Sequence, residues 1–326
     1  MPSLEVHTPI SPTPMFLRQL WIQVQSLRHF GGNIAREAEF HVWVSPDAPV
    51  TDLKGKYPWL RDPAIHFHWV DAALFQEHRY YGTALARGDW NFQADLVMFL
   101  DADVLATGSL DEKIEEVLRN PAVVGFQAHV DPLGNNGPGP DTGWERLFAH
   151  LGLPAPERTE LPTGIGLLPD VRPHPLPVYW NLGVILGPNK LMHRLGENLV
   201  GELDGINSFI CTMFRCQIAV AVRLARLRLP YRQLDVRYNY PNYSTFDEAH
   251  AAIIPDIRLL HCLHHSPDVS KNRDFDTPEH YDALLHRPNL TGSNLLLQQR
   301  LRALGPYPGD PWRIRLRQRW AALTGW

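Results

Sequence analysis

Two aspartates separated by one residue follow an uninterrupted apolar run. Asp101 and Asp103 come directly after Leu96–Leu100, which has the length of a strand and no polar side chain. Such a run is typical of a central strand buried on both faces of a parallel sheet, and ligands bind at the carboxyl ends of those strands. Carboxylates this close repel each other unless a cation lies beside them, and their hard oxygen atoms suit Mg²⁺ or Mn²⁺. The pair therefore indicates metal-assisted departure of a phosphate-bearing leaving group.

The same two aspartates also have a structural interpretation. Asp-x-Asp is a short pattern, and aspartate is common in turns and at helix N-termini. Residues 107–112 (Thr-Gly-Ser-Leu-Asp-Glu) predict a turn into a helix over Asp111–Arg119, with Ser109 as its N-cap. The buried strand in front of the pair favours the metal interpretation.

Composition is that of a soluble globular protein. The chain has 326 residues and a formal net charge of −4, with 44% hydrophobic and 20% charged residues. This length and balance suit a large α/β domain. The near-neutral charge excludes nucleic acid as a main partner, because binding to a phosphate backbone requires a basic surface.

Cysteine usage and the N-terminus predict a compartment. The chain has three cysteines, an odd and sparse number for a disulfide framework, and we expect Cys211 and Cys216 to be buried thiols. The Pro-rich N-terminus lacks the apolar core of a signal peptide, and no apolar stretch has the length that a bilayer requires. These features predict a cytoplasmic protein with reduced thiols.

Apolar periodicity predicts strands that alternate with helices. The predicted strands are residues 4–7, 40–44, 65–70, 96–100, 123–126, 180–186 and 259–264. The predicted helices are residues 15–27, 80–87, 111–119, 144–151 and 209–227. Alternation of this kind predicts an α/β fold with a mainly parallel central sheet flanked by helices.

Three segments interrupt or follow this alternation. Residues 131–177 are rich in Pro and Gly and predict a long irregular loop. Residues 305–311 predict a Pro/Gly linker after a domain over 1–304, and residues 312–326 form a basic, Trp-rich tail with apolar residues at helical spacing. Such a tail either contacts a membrane surface or docks back on the domain with its arginines in solvent.

Three segments in order carry a resemblance to a known family. They are Leu100-Asp101-Ala102-Asp103, then Tyr179-Trp180-Asn181-Leu182-Gly183-Val184, then Arg237-Tyr238-Asn239-Tyr240 with Arg258-Leu259-Leu260-His261. This order resembles the glycogenin-like and lipopolysaccharide-galactosyltransferase-like glycosyltransferases, a retaining family with the GT-A fold. The similarity runs from about residue 80 to about residue 271. It implies a GT-A type sheet with a Rossmann-like nucleotide-binding core, and a catalytic domain over 1–304.

The resemblance implies a metal-dependent transfer. Asp101 and Asp103 would hold Mn²⁺ or Mg²⁺ against the diphosphate of a nucleotide-sugar donor, by resemblance a UDP-sugar, and His261 would be the third protein ligand. His264 and His265 are rival ligands. The acceptor would be a glycan or a lipid-linked sugar, with the tail suggesting the inner face of a membrane. The transfer would be that of a hexose, with retention of configuration.

Further roles are implied residue by residue. Asn181 lies where the family has a polar contact to the transferred sugar, and Gly183 lies where its backbone comes close to the ligand. Gln217 resembles the glutamine near the anomeric centre. Cys216 stands where the family has an acidic residue. Lys271 and Arg273 are equal candidates to meet the departing diphosphate, because Ser270-Lys271-Asn272-Arg273 replaces the family's Lys-Pro-Trp. Arg79 and Arg87 precede the predicted strand over Leu96–Leu100. They are candidates to bind the donor phosphates, and the alternative is that they lie on the surface of a helix.

Two other functions use the same kind of fold. A catalytically inactive sugar-nucleotide or carbohydrate-binding protein would retain the sheet and lose metal ligands. A sugar nucleotidyltransferase would also use a carboxylate pair, but it would have a Gly-rich basic loop near the N-terminus, where this chain has Ser11-Pro12-Thr13-Pro14. In a transferase, the loop over 131–177 is the expected lid on the acceptor side.

Overall fold

Strands and helices alternate along most of the chain in the computed structural model, which describes residues 1–47, 52–128, 131–133, 143–157, 177–263, 266–312 and 314–316. The strands are β1 (Leu4–Ile10), β2 (Glu39–Val44), β3 (Ile65–Trp69), β4 (Leu96–Leu100), β5 (Val104–Ala106), β6 (Val123–Gln127), β7 (Trp180–Pro188), β8 (Tyr231–Gln233), β9 (Tyr240–Pro241) and β10 (Leu259–His261). The helices are α1 (Pro14–Phe30), α2 (Gly32–Arg36), α3 (Leu53–Lys56), α4 (Ala72–His78), α5 (Tyr80–Ala86), α6 (Asp111–Arg119), α7 (Gly143–His150), α8 (Asn189–Gly196), α9 (Glu202–Phe209), α10 (Arg215–Leu227), α11 (Ser244–His250), α12 (Lys271–Asp274), α13 (Pro278–His286) and α14 (Gly292–Leu304).

Seven strands form the central sheet in the order β3-β2-β1-β4-β7-β6-β8. Strands β3, β2, β1 and β4 are parallel to one another, and β6 is parallel to β8. Strand β7 is antiparallel to both of its neighbours, β4 and β6. The mainly parallel α/β sheet expected from the sequence is therefore confirmed. Its one reversed strand, β7, lies beside β4, the strand that precedes Asp101.

Strand β4 lies in the middle of this sheet because all five of its residues are apolar and buried. Its alternating side chains enter two different cores. Leu96, Met98 and Leu100 pack with α1 and α6 on one face. Val97 and Phe99 pack with α8 and α10 on the other. Burial on both faces fixes the register of β4, and with it the position of the aspartates that follow.

A second, smaller sheet brings the late part of the chain to the end of β4. Its order is β5-β10-β9, and β10 is antiparallel to β5 with His261 opposite Val104. Since β5 begins directly after Asp103, this pairing carries the end of β10 to the aspartates. Helices α11, α13 and α14 pack behind it in a third apolar core.

The sequence predictions differ from the structure in several places. The helix predicted over 209–227 begins only at Arg215, as α10. Phe209 is the last residue of α9, and between them Ile210 is extended and the Thr212 hydroxyl accepts a hydrogen bond from the Phe214 N–H in a turn. Cys216 and Cys262 are buried as thiols, but Cys211 is exposed. The last predicted strand ends at His261, and the rival ligands at 264 and 265 lie outside the described residues.

The helix predicted over Asp111–Arg119 is confirmed, although its N-cap is Leu110. The Ser109 hydroxyl nevertheless accepts a hydrogen bond from the Asp111 N–H, 3.2 Å away. Most of the predicted lid over 131–177 lies outside the described residues, which include only its helix α7 and short flanks. In the described part of the chain, no helix is both long and apolar enough to cross a bilayer.

The segment predicted as a linker packs against the domain. Tyr307 is 2% exposed and Asp310 is 4% exposed. The carboxylate of Asp310 accepts a hydrogen bond at 2.8 Å from Arg18, a buried residue of α1. Ile314 is buried as well, whereas Trp312 is 61% exposed. Two contacts thus anchor this segment on α1: the buried ion pair between Arg18 and Asp310, and the packing of the Tyr307 ring against Trp21.

Candidate active site

Asp101, Asp103 and His261 meet at the carboxyl end of β4. One potential ligand atom from each residue lies within 4.8 Å of the other two. The Nε2 atom of His261 is 3.3 Å from Asp103 Oδ2. The side chain of Asp103 is 2% exposed, whereas that of Asp101 is 34% exposed. The structure therefore brings together the three residues that the sequence proposed as metal ligands, with one open side.

Hydrogen bonds to its main-chain atoms hold Asp101 in place. Gln23 of α1 donates from Nε2 to the Asp101 carbonyl oxygen at 2.7 Å, and its own Oε1 accepts from the Thr8 hydroxyl at 2.6 Å. The Asp101 N–H donates to the Gly183 carbonyl of β7 at 3.1 Å. Because these bonds use main-chain atoms, the carboxylate oxygens of Asp101 remain available to a ligand.

The imidazole of His261 is held in the tautomer that suits metal binding. Its Nδ1 is 3.0 Å from Asn239 Oδ1, and that side chain donates from Nδ2 to Asn181 Oδ1 at 3.1 Å. An amide oxygen only accepts, so Nδ1 of His261 carries a proton, and Nε2, which faces Asp103 Oδ2, is the nitrogen that could bind a metal. Histidine ligands are usually oriented in this way by a partner behind the ring. The donor set, two carboxylates and one neutral imidazole, fits Mn²⁺ or Mg²⁺.

Gly183 allows the His261 ring to lie against β7. A Cβ atom at this position would be 2.6 Å from both Cε1 and Nδ1 of His261. The Gly183 N–H also donates to Asn181 Oδ1 at 2.8 Å. The role implied for this glycine was close approach of the backbone to a ligand. The structure shows a close approach to the side chain of the candidate metal ligand.

Lys271, the first residue of α12, points at the same carboxylate as His261. Its Nζ donates to Asp103 Oδ2. Burial alone would raise the pKa of Asp103, but the ammonium group of Lys271 outweighs burial and holds that pKa well below its usual range. Burial also opposes the charge on Lys271, and Asp103 outweighs that effect and raises the lysine pKa. Asp103 and Lys271 are therefore an ionised pair, with one cation already beside the carboxylate cluster.

Arg87, after α5, lies buried behind Asp101. Its Nη1 donates to the Leu100 carbonyl at 3.0 Å, and its Nη2 is 3.7 Å from Asp101 Oδ1 without a hydrogen-bond partner among the described residues. Burial lowers the pKa of this guanidinium. Its charge offsets part of the repulsion between the two carboxylates.

Arg79 and Arg273 have other surroundings. Arg79 is exposed and joins α4 to α5 with a φ of 57°. Arg273 donates to Asp274 at 2.9 Å and to the Asp268 carbonyl at 2.8 Å. Of the two cations in α12, Lys271 is the one that reaches the carboxylate cluster.

Gln217 lies on α10 with an unsatisfied polar atom. Its Oε1 is buried and has no hydrogen-bond partner in the described part of the chain. The preceding Cys216 is buried, and burial raises the pKa of its thiol to about 12, with the charges of Arg87 and Asp101 close enough to contribute. Position 216 therefore carries a neutral, buried thiol, whose Sγ donates to the Tyr81 carbonyl at 3.5 Å.

Sequence reasoning missed two residues that position the cluster. Asn239 lies in a segment that was part of the resemblance, yet nothing in the sequence shows that it bonds to His261 across 22 residues. Gln23 lies inside a helix, where glutamine is ordinary. The available signal was its spacing, because Gln23 shares the apolar face of α1 with Leu20, Val24 and Leu27, and the structure shows it completely buried there.

Asn239→Ala tests the orientation of His261. Without Asn239 Oδ1 the ring loses the acceptor that fixes its tautomer, so we expect the affinity for Mn²⁺ to fall by about 10- to 100-fold. Isothermal titration with MnCl₂ measures this. Asn198→Ala, at an exposed position outside the site, is the control that should bind like the unmodified chain. Unchanged affinity in Asn239→Ala would show that the tautomer is fixed by something else.

Comparison with known proteins places the fold among glycosyltransferases. No family model and no curated protein matches the sequence. An active-site mutant of LgtC matches with a TM-score of 0.54 and 14% identity, over 95% of this chain and 99% of that one. The bifunctional glycosyltransferase WbbM matches with a TM-score of 0.51 and 14% identity, over 91% of this chain and 51% of that one. The GT-A type fold implied by the sequence is thus confirmed.

Proposed function

We propose that the chain is a metal-dependent glycosyltransferase that moves a hexose from a nucleotide-diphosphate sugar, by resemblance a UDP-sugar, to a glycan or lipid-linked acceptor with retention of configuration. The observation that carries this is the cluster of Asp101, Asp103 and His261 at the carboxyl end of β4. Clusters at that end of a parallel sheet are where ligands bind in open α/β folds. The fold shared with LgtC and WbbM supports the same class.

We assign the residues of the proposed site separate roles toward the diphosphate and the sugar of the donor. A divalent metal held by the two aspartates and His261 would stabilise negative charge on the departing diphosphate. Lys271 adds a positive charge on the inner side of Asp103, from which its flexible chain can turn to a phosphate oxygen. Asn181 Nδ2 remains a donor for a sugar hydroxyl, since its Oδ1 is occupied by Asn239 and Gly183. Gln217, which by resemblance lies near the anomeric centre, would offer its unpaired Oε1 as an acceptor to the sugar.

Hydrolysis of a donor panel tests this function. UDP-, GDP- and ADP-sugars are incubated with the chain in Mn²⁺, Mg²⁺ or EDTA, and released nucleoside diphosphate is measured. We expect release from one donor, abolished by EDTA. Absence of turnover together with absence of metal-dependent nucleotide binding would contradict the proposal.

A sugar-nucleotide-binding protein without catalysis is the second candidate. It is favoured by one contact, because the ammonium group of Lys271 can neutralise Asp103 in place of a metal. In that case nucleotide would bind equally well in Mn²⁺ and in EDTA, with no turnover of any donor. The same panel therefore separates the two candidates.

We propose that residues 312–326 contact an anionic membrane surface on the cytoplasmic side. Trp312 is 61% exposed and Leu316 is 55% exposed, one turn apart and followed by further basic and apolar residues. A flotation assay with anionic liposomes compares the full chain with a chain that ends at residue 316 and carries Trp312→Ser and Leu316→Ser, which keeps the buried Asp310 and Ile314. We expect the full chain to float and the shorter chain to stay behind. Equal flotation would remove the proposal.

A further inference from the structure

The first three strands carry a row of polar aromatic side chains on the face that does not join the main core. Strand β3 is the edge of the sheet, and its His66 and His68 lie on one face because they are two residues apart. In the register of the sheet, His66 is opposite His41 of β2, and His41 is opposite His7 of β1. Three neighbouring strands thus bring four imidazoles together, away from the carboxylate cluster.

His41 and His68 have the geometry of a chelating pair. His41 Nδ1 is 3.0 Å from His68 Nε2, and the two ring planes differ by 4°. Two metal–nitrogen bonds of about 2.1 Å that span this distance enclose an angle of about 90°. That angle suits square-planar or octahedral Cu²⁺ or Ni²⁺, and tetrahedral Zn²⁺ requires the two nitrogens to separate by about 0.3 to 0.4 Å.

His66 lies beside this pair, and its exposed ring can turn toward the two nitrogens to supply a third ligand. Its ring centroid is 5.0 Å from that of His41. Its Nε2 is 2.6 Å from Glu39 Oε2, and a carboxylate in that position holds the proton on Nε2 and leaves the lone pair on Nδ1. The His66 side chain is 43% exposed, so an ion can reach the group from solvent.

The imidazoles are in the form that binds metal. Burial lowers the pKa of His41 to about 3 and that of His68 to about 4. Both rings are therefore neutral at neutral pH, and a metal ion would replace the single proton that they share across the 3.0 Å contact.

His7 and Glu5, which lie deeper in the same row, are excluded as ligands by their hydrogen bonds. The indole of Trp43 donates to His7 Nδ1 at 3.2 Å, so the proton of His7 lies on Nε2, which faces Glu5 Oε2 at 3.3 Å. Glu5 Oε1 accepts from the N–H groups of Gln93 and Ala94. Both nitrogens of His7 and both carboxylate oxygens of Glu5 make hydrogen bonds within the protein. These two residues therefore stabilise the fold and have no free ligand atom for a metal.

We propose that His41, His66 and His68 form a second metal site, specific for borderline ions such as Ni²⁺, Cu²⁺ or Zn²⁺. Its all-nitrogen donor set differs from the two carboxylates and one imidazole of the first cluster, so the two sites select different metals. An ion there links the edge strand β3 to β2 and stabilises that edge of the sheet.

Calorimetric titration with NiCl₂ tests the site. The full chain, free of any histidine tag, carries Asp103→Asn so that the first cluster binds metal weakly. In this background we expect saturable binding of about one Ni²⁺. His66→Gln and His68→Gln should each weaken binding by at least about tenfold. The exposed His193→Gln on α8 should leave the affinity unchanged.

Two results would overturn the proposal. One is the absence of saturable Ni²⁺ binding in this background. The other is an affinity that survives His66→Gln, which would assign the ion to another group, such as Glu77, His78 and Asp204. His66 is exposed, so its substitution tests the site even if His68→Gln, beside Trp90, impairs folding.

Discussion

Asp103→Asn is expected to lower the rate of sugar transfer by about 10³-fold, which is a loss of about 4 kcal/mol in the stabilisation of the transition state. The substitution keeps the shape of the side chain and removes the negative charge that Lys271 neutralises and that His261 Nε2 faces. Initial rates of nucleoside diphosphate release with saturating Mn²⁺ measure the effect.

Asp89→Asn is the matched control for this experiment. Asp89 is an exposed aspartate just after α5, and its substitution should leave the rate within about twofold, because an exposed carboxylate away from the site contributes little. Circular dichroism of Asp103→Asn separates loss of chemistry from loss of fold, because Lys271 loses its ionised partner there. A folded Asp103→Asn chain that retains a tenth of the activity would contradict the claim that transfer requires the carboxylate of Asp103.

Lys271→Met is expected to change two quantities in opposite directions. If the ammonium stabilises the departing diphosphate, transfer falls by about 10²-fold. The affinity for Mn²⁺ in the absence of donor should instead rise several-fold, because Asp103 no longer has a competing cation. Steady-state rates and a calorimetric MnCl₂ titration measure the two effects.

Arg273→Met is the control for Lys271→Met. Both cations lie in α12, but Arg273 is held by Asp274 and the carbonyls of the preceding loop. We expect its transfer rate and Mn²⁺ affinity to stay near those of the unmodified chain. A large loss of rate in Arg273→Met with little change in Lys271→Met would reverse the assignment and give Arg273 the role at the diphosphate.

Local patterns were sufficient to predict the central part of the fold. The run at 96–100 predicted a strand buried on both faces, and β4 has those bounds. Helix α6 also has its predicted bounds. In both cases the apolar periodicity ends sharply at polar or turn residues. Prediction was poorer where periodicity continues through a break, as between α9 and α10, where only the turn at Thr212 interrupts an apolar pattern.

Contacts between distant segments are what the sequence could not show. The pairing of β5 with β10 joins residues more than 150 positions apart and brings His261 to Asp103. The bond from Asn239 to His261, the burial of Gln23 under Asp101 and the packing of Tyr307 on α1 all depend on such pairings. The resemblance to a known family supplied His261. It did not supply the partners that orient it, because they contact other side chains and not the ligand.

The most direct test of the account is binding of Mn²⁺ in the presence of a nucleoside diphosphate. The nucleotide used is the one released from the donor that the chain hydrolyses in the panel. Electron paramagnetic resonance follows the loss of the free Mn²⁺ signal as the chain is added. The account predicts that about one Mn²⁺ is bound for each unmodified chain, and that Asp103→Asn and His261→Ala bind at least about tenfold more weakly. Equal binding by all three chains would contradict the claim that Asp101, Asp103 and His261 hold the metal.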